Sequence, residues 1–149
     1  QVDTVGNLNV SKYGSRLTGA GGFIDISQNA KQVFFLGTFT AGGLKVAVDN
    51  GKLIIIQEGK SRKFVELVEH ITFSGKYAQL RKQPVLYITE RCVFSLTPDG
   101  MELIEIAPGI DLETQILSQM NFKPLIKNLQ LMDERIFKSE PMGLKQNFG

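Results

Sequence analysis

The chain has 149 residues, 42% of them hydrophobic, which is enough for one domain with a substantial core. Its 17 basic and 15 acidic residues nearly cancel, and a net charge of +2 argues against nucleic acid or a membrane surface as a partner. The longest apolar runs, such as residues 53–56, are far too short to span a bilayer.

The chain has a single cysteine and a single histidine. Cys92 therefore cannot form an internal disulfide, and its isolation fits a reducing compartment such as the cytoplasm. His70 alone excludes a multi-histidine metal site, and we expect no bound metal. Because His70 precedes the apolar triplet 71–73, we interpret it as a strand-edge residue and not as a catalyst. A Ser-His-Asp triad would have to use it, yet nothing in the sequence marks a partner serine.

The first residues predict a short hairpin followed by a loop. Residues 1–13 alternate around a turn expected at Gly6 and Asn7, and residues 13–16 read as a loop. The chain opens in mid-pattern without an initiator methionine, so we interpret it as a fragment or a processed subunit.

A glycine-rich turn comes next and leads into a predicted helix at about 22–30. Three glycines fall within residues 19–22, and Phe23, Ile26 and Ala30 share one helical face. Glycine permits positive φ and close approach of a ligand, and a helix start leaves N–H groups without partners, which suits an anion or an oxyanion. The alternative is a tight turn that only lets the helix pack close to a sheet.

The middle of the chain predicts strands. The apolar run 32–36 is typical of a central strand buried on both faces. Residues 44–48 and 52–56 flank an Asn-Gly pair, the strongest hairpin signal in the sequence. The basic segment 59–63 is either a solvated loop or a contact for a ligand phosphate.

The second half is richer in strands. Residues 64–68 and 71–73 read as further strand, and 74–84 as a connection with a helical turn. A meander follows, with a turn at 98–100. Its predicted strands are 85–89, 92–96 and 101–106.

The C-terminal part predicts one helix and a tail. Asp111 is the predicted N-cap of a helix over 112–120, and 125–137 reads as a last short strand or coil. We expect one domain portion at 1–137 and a flexible tail at 138–149. The fold class is therefore α/β, with a mixed sheet, flanking helices and a strand-rich second half.

Five blocks of the sequence, in the same order and spacing, resemble the C-terminal part of the class I acyl-CoA transferases of the acetate, acetoacetate and propionate type. The blocks are residues 1–11, 19–31, 37–44, 88–94 and 105–112. Residues 19–23 resemble the family's GxGGF oxyanion-hole motif. The resemblance implies a CoA-transferase-like domain.

The resemblance also implies a chemistry. The family uses a glutamate as nucleophile, which carries a glutamyl-CoA thioester. The resemblance assigns Gly21 and Gly22 to an oxyanion hole. It also assigns to substrate binding the residues Gly19, Gly21, Gly22 and Phe23. Acyl-CoA and a short-chain carboxylate would be the substrates, with no tightly bound cofactor. The partners would be the rest of a CoA-transferase chain, within a homo-oligomer.

The family's catalytic glutamate lies upstream of the first block, so we expect residues 1–149 alone to be inactive. The glutamates that do not match its motif are Glu58, Glu66, Glu69, Glu90, Glu102, Glu105 and Glu113. Glu90 is interpreted as a local ion-pair partner of Arg91. Lys31, Lys60 and Arg62 are candidates for CoA phosphates by charge only. A non-catalytic module that binds CoA or another phosphate ligand, and a purely structural role of the glycines, remain as alternatives.

Overall fold

The computed structural model describes residues 1–144 and has the α/β class predicted above. The strands are β1 (Lys12–Tyr13), β2 (Arg16–Leu17), β3 (Val33–Leu36), β4 (Thr40–Ala41), β5 (Lys45–Asp49), β6 (Lys52–Gln57), β7 (Ser61–Arg62), β8 (Val85–Ile88), β9 (Cys92–Thr97), β10 (Gly100–Ile106) and β11 (Gln130–Leu131). The helices are α1 (Phe23–Asn29), α2 (Gly75–Leu80) and α3 (Leu112–Gln115), with 3-10 turns at Leu117–Gln119 and Glu134–Phe137.

Within these residues the main sheet has five strands in the order β11-β10-β9-β8-β3. The central pairs β8–β9 and β9–β10 are antiparallel, which confirms the predicted meander and its turn. The outer pairs β3–β8 and β10–β11 are parallel. The sheet is therefore mixed, as the sequence predicted. Three further antiparallel pairs lie outside it, β1–β2, β4–β7 and β5–β6.

The prediction that 32–36 forms a central strand buried on both faces is wrong for the described residues. Strand β3 lies at the edge of the sheet and pairs with β8 alone. Val33 and Phe35 pack against the core, whereas Phe34 is 50% and Leu36 is 76% exposed. Consecutive side chains of a strand point to opposite faces, so a continuous apolar run does not say which face is covered.

The predicted turn at Gly6 and Asn7 is displaced toward the N-terminus. The turn falls at residues 4–5, between the bridged residues Val2 and Leu8. The carboxylate of the fully buried Asp3 accepts hydrogen bonds from two N–H groups of this loop, at 3.1 and 3.0 Å. An aspartate that bonds the backbone ahead of it favours a turn directly after itself, and this effect outweighs the glycine signal.

Residues 64–73 do not form the predicted strand. They make only single bridges, at Phe64 and Phe73, and the segment between them bends. His70 is therefore exposed in a bend and not at a strand edge. The apolar character of the segment serves packing instead, since the Phe64 ring lies 4.7 Å from that of Phe39 and 4.8 Å from that of Phe94. The predicted helical turn in 74–84 is confirmed by α2.

At the C-terminal side, the side chain of Asp111 accepts a hydrogen bond from the Thr114 N–H at 2.8 Å, which confirms the N-cap. The helix ends at Gln115, earlier than predicted, because the buried Ile116 has φ −121° and ψ −69°, outside the helical region. The division into 1–137 and a flexible tail stays a prediction, and residues 145–149 lie outside the described part.

The core divides into two clusters. The larger one lies between the main sheet and the N-terminal half of the chain and contains Phe39, Phe64, Phe73, Tyr87 and Phe94. The smaller one lies beneath the β5–β6 hairpin. No helix in residues 1–144 is long and apolar enough to cross a membrane.

Candidate functional site

The glycine turn links β2 to α1 and is open to solvent. In the segment predicted as a loop at 13–16, Tyr13 and Arg16 pair as the ends of β1 and β2, and residues 14–15 form the turn of this hairpin, which precedes the glycine turn. Gly19 and Gly21 have φ of +75° and +53°, conformations that L side chains rarely adopt. A Cβ added at either one would meet no heavy atom of the described chain within 4 Å. Thr18 holds the start of the turn through its N–H, which donates to the Ser11 carbonyl at 2.7 Å.

The backbone N–H groups of this turn are partly free. The Phe23 N–H donates to the Ala20 carbonyl at 3.1 Å and closes the turn, and Gly22 caps α1 without a side-chain hydrogen bond. Among the described residues, the N–H groups of Gly21 and Gly22 donate to no protein acceptor. Two adjacent unpartnered donors without side-chain bulk can bind an anionic oxygen.

Helix α1 packs only in part through the face predicted. Phe23 is half-buried with its ring 5.7 Å from that of Phe35, but Ile26 is 75% exposed. The buried residue is Ser27, whose hydroxyl donates to the Phe23 carbonyl at 2.6 Å. The amide of Gln83 donates to the Ser27 carbonyl at 2.7 Å. The helix therefore packs through Phe23, as predicted, and through Ser27, whereas the prediction is wrong for Ile26, which is exposed to solvent.

A pocket of about 240 Å³ lies at the carboxyl ends of the parallel strands β3 and β8, where ligand sites of α/β sheets commonly occur. Gly37, Thr38, Lys63 and Thr89 contribute polar groups to its lining. None of Gly19, Gly21, Gly22 and Phe23 lines it. The connection to the glycine turn runs through Phe35, which lines the pocket and contacts the Phe23 ring.

Lys63 is the charged side chain of this pocket that sequence reasoning did not single out. Its Nζ donates to the Thr38 hydroxyl at 2.8 Å. Partial burial lowers the pKa of Lys63, and the negative charge of Glu90 opposes that shift without cancelling it. The basic segment 59–63 was the available signal, although charge alone could not tell which of its residues faces a pocket.

A buried ion-pair network lies beside the pocket. Arg91 is fully buried, and its guanidinium donates to the two carboxylate oxygens of Glu58 at 2.7 and 3.0 Å and to Glu90 at 2.7 Å. The predicted Glu90–Arg91 pair is confirmed. The bidentate partner, Glu58, lies 33 positions away in the sequence and was not predicted as a partner.

The two carboxylates of this network hold the loop that follows β3 (residues 37–39) and the first residue of β4. Glu90 accepts a hydrogen bond from the Phe39 N–H at 2.8 Å, and Glu58 accepts one from the Thr40 hydroxyl. Partial burial alone raises the pKa of Glu58, but the hydrogen bonds from Arg91 and Thr40 outweigh it and lower that pKa below its ordinary value. The network therefore holds Phe39 and Thr40 in place, next to the pocket residues Gly37 and Thr38.

Comparison with known proteins identifies relatives of this sequence. No family model matches the chain. It is 52% identical over 144 residues to the acetate CoA-transferase YdiF of Escherichia coli K12, a match that covers 96% of this chain and 27% of that protein. It is 49% identical to the caffeate CoA-transferase of Acetobacterium woodii, covering 100% of this chain and 29% of that protein. The chain thus spans little more than a quarter of the length of these relatives.

A solved structure agrees with the sequence match. The acyl-CoA transferase YdiF of Escherichia coli O157:H7, crystallised as a thioester complex with CoA, superposes with a TM-score of 0.94 at 52% identity. That match covers 96% of this chain and 28% of the YdiF chain. In sequence and in fold, this chain is similar to one segment of these CoA-transferases.

More distant solved structures share the fold of this chain. Glutaconate CoA-transferase from Acidaminococcus fermentans matches with a TM-score of 0.65 at 17% identity, and the decarboxylase AibA/AibB with 0.63 at 18%. These likenesses concern the fold alone. Because a decarboxylase is among them, the fold by itself does not determine the reaction.

None of the three basic residues considered for CoA phosphates lines the pocket. The guanidinium of Arg62 donates to the Ser118 carbonyl at 2.8 Å and so supports the chain near α3. Lys31 is exposed after α1, and Lys60 is exposed before β7. Among residues 1–144, no three His, Cys, Asp or Glu side chains are grouped as a metal ion would require.

Proposed function

We propose that this chain is part of an enzyme that moves CoA between a short-chain acyl-CoA and a free carboxylic acid of the acetate or acetoacetate class, through a glutamyl-CoA intermediate. The support is 52% identity to an acetate CoA-transferase across nearly the whole chain and the likeness to a CoA-thioester complex. In this proposal CoA is a substrate, and no cofactor is tightly bound. The whole protein would act as a cytoplasmic homo-oligomer.

The glycine turn would supply the oxyanion hole. Attack of a carboxylate on a thioester places negative charge on the carbonyl oxygen, and a preformed donor stabilises that charge by about 3–4 kcal/mol. The observation that carries the proposal is the pair of unpartnered N–H groups on Gly21 and Gly22, in a turn that resembles the GxGGF motif. Gly19 and Phe23 would shape the same turn, Gly19 through its positive φ and Phe23 through its packing on Phe35.

The nucleophilic glutamate would come from a part of the enzyme outside residues 1–149. Glu58 and Glu90, the carboxylates of the network beside the pocket, both form ion pairs with Arg91, and an ion-paired carboxylate is a poor nucleophile. We therefore expect the 149-residue chain by itself to show no CoA exchange between an acyl-CoA and a carboxylate. Turnover by this chain alone would contradict that expectation.

The alternative is a module that binds CoA or another phosphate ligand without catalysis. The Gly21 and Gly22 N–H groups would bind the ligand in such a module, because phosphate oxygens and a tetrahedral oxyanion are bound by similar N–H donors. The two proposals differ in what the donors stabilise. A catalytic oxyanion hole acts on kcat, whereas a binding module acts on ligand affinity.

Gly21→Ala, placed in the full-length protein, tests the proposal against a matched control, Gly14→Ala. Gly21 and Gly14 have φ of +53° and +58°, and neither has a neighbour within 4 Å, so alanine costs about 1 kcal/mol of backbone strain at both positions. We expect Gly21→Ala to lower kcat about 100-fold, an effect as large as the loss of one oxyanion donor, because a methyl group on the turn would hinder the approach of a substrate oxygen to the Gly21 and Gly22 N–H groups.

Gly14→Ala should have near wild-type kcat and the same thermal stability as Gly21→Ala. Equal activity of the two variants would refute the catalytic role of the turn. A raised KM or Kd for CoA with unchanged kcat would favour the binding module.

A further inference from the structure

Within residues 1–144, the outer edge of strand β5 in the β5–β6 hairpin pairs with no other strand, and its side chains are partly apolar. The two strands form a separate two-stranded sheet in the described residues. Val46 and Val48 of β5 are 41% and 53% exposed. They lie on the same face as Ile55 and the buried Leu53, their partners across the hairpin. A strand edge of this kind is a template for pairing with another chain unless it is covered.

The hairpin geometry determines which backbone groups face this edge. Asp49 and Lys52 flank the two-residue turn, so they form a hydrogen-bonded pair, and the next pair, Val48 and Leu53, points its backbone groups outward. The Leu53 N–H indeed points away from β5 and donates to the Pro108 carbonyl at 2.8 Å. By the same alternation, the N–H and C=O groups of Val48 and Val46 face the free side of β5.

Strand β5 is self-complementary in charge. Its sequence is Lys45, Val46, Ala47, Val48 and Asp49. We infer that β5 pairs with β5 of a second copy of this chain, antiparallel and about a two-fold axis at Ala47. Each Lys45 then lies opposite an Asp49 of the second copy, and each Val46 lies opposite a Val48.

This register satisfies the outward-facing backbone groups. Val46 and Val48 of the second copy are directly opposed, and each such pair exchanges two N–H···O=C bonds, so the dimer gains four. If the two-fold axis lay at Val46 or Val48, the outward-facing N–H and C=O groups could still pair across the axis, but both Lys–Asp pairs would be lost. The charges therefore select one register, and the result is a four-stranded sheet in the order β6-β5-β5-β6.

Neither charge has a competing ion-pair partner in the described residues. Across the hairpin, Lys45 faces the neutral Gln57, and Asp49 faces Lys52 without a salt bridge. A lone lysine at an edge discourages pairing with a neutral or basic strand. In the proposed pair, Lys45 lies opposite Asp49 of the second copy, so this lysine favours pairing with a second β5 over pairing with other strands. The inference concerns assembly and does not depend on the proposed function.

The first test uses charge in the full-length protein. Lys45→Glu places two like-charged pairs across the axis while its neighbour within the hairpin stays neutral, and the double variant Lys45→Glu with Asp49→Lys restores both pairs in reverse. Lys31→Glu, exposed elsewhere, is the control for net charge. By analytical ultracentrifugation we expect Lys45→Glu to raise the dissociation constant of this interface about tenfold and the double variant to recover it.

The second test uses a disulfide at the axis. Ala47→Cys places two thiols in the non-hydrogen-bonded pair at the two-fold axis, where Cα atoms lie about 4.5 Å apart, within disulfide range. Ile54→Cys, exposed on β6 away from the axis, is the matched control. Mild oxidation of the full-length protein should cross-link Ala47→Cys into a dimer and leave Ile54→Cys and wild type uncross-linked. No cross-link at Ala47, or an unchanged dissociation constant for Lys45→Glu, overturns the inference and assigns this edge to another segment of the enzyme.

Discussion

Removing the Arg91 guanidinium should expose how much of this segment depends on one buried ion-pair network. Arg91 is fully buried, whereas the side chains of Glu58 and Glu90 are 27% and 17% exposed to solvent. Arg91→Met retains most of the side-chain volume but leaves two carboxylates without their partner. Breaking a buried pair from one side costs about 3–5 kcal/mol, and the residual hydration of the carboxylates places this case near 3 kcal/mol.

The assay is urea unfolding of the full-length protein, combined with a double-mutant cycle. Arg91→Met and Glu58→Gln are measured singly and together, because a single variant mixes the pair energy with desolvation of the remaining partner. We expect Arg91→Met to cost about 3 kcal/mol and the two changes to couple by more than 1 kcal/mol. Arg91→Lys, which keeps the charge but not the bidentate geometry, should lie between wild type and Arg91→Met. A loss below about 0.5 kcal/mol, or purely additive changes, would refute the structural importance of the network.

Three further predictions follow from single groups. The folded state lowers the pKa of Glu58, so the stability that ionised Glu58 contributes is present above the ordinary pKa of 4.5 and is lost as pH falls through the lowered pKa. In acid titrations of thermal unfolding, wild type should therefore lose stability below pH 4.5 more steeply than Glu58→Gln. Tyr87→Phe should cost about 1–3 kcal/mol in urea unfolding, because the phenol donates to the buried Gly6 carbonyl at 2.5 Å; a neutral effect would show that this carbonyl finds another donor. Burial raises the pKa of the Cys92 thiol, so iodoacetamide at pH 8 should not modify Cys92 until urea unfolds the protein, and rapid labelling of the folded protein would contradict its burial.

Local chemistry made several elements predictable from the sequence. Asn50 and Gly51 have φ of +48° and +78°, the left-handed pair that a two-residue hairpin turn requires, and few residue pairs other than Asn-Gly adopt it easily. Asp111 accepts the hydrogen bond expected of an N-cap. The GxGGF turn followed by α1 was also predictable, because glycine spacing and helix start lie within a few residues of each other.

The incorrect predictions concern partners that are distant in the sequence. Whether β3 lies at a centre or an edge depends on the strands that flank it, which its own residues do not specify. Residues 64–73 are as apolar as a strand, but ring packing of Phe64 on Phe39 and Phe94 uses that character instead. The Glu58–Arg91 pair and the pocket each combine separate segments, so charge and hydropathy patterns could not locate them.

The ion-pair network also limits how freely the loop after β3 can move. Glu90 accepts a hydrogen bond from the Phe39 N–H and Glu58 accepts one from the Thr40 hydroxyl, and Arg91 holds both carboxylates in place. Opening the loop after β3 would therefore break two hydrogen bonds to anchored acceptors. The glycine turn lacks such ties beyond Thr18 and Phe23. In the proposed CoA-transferase, we therefore expect entry and release of the acyl-CoA to involve rearrangement of residues 19–22 more than of the loop after β3.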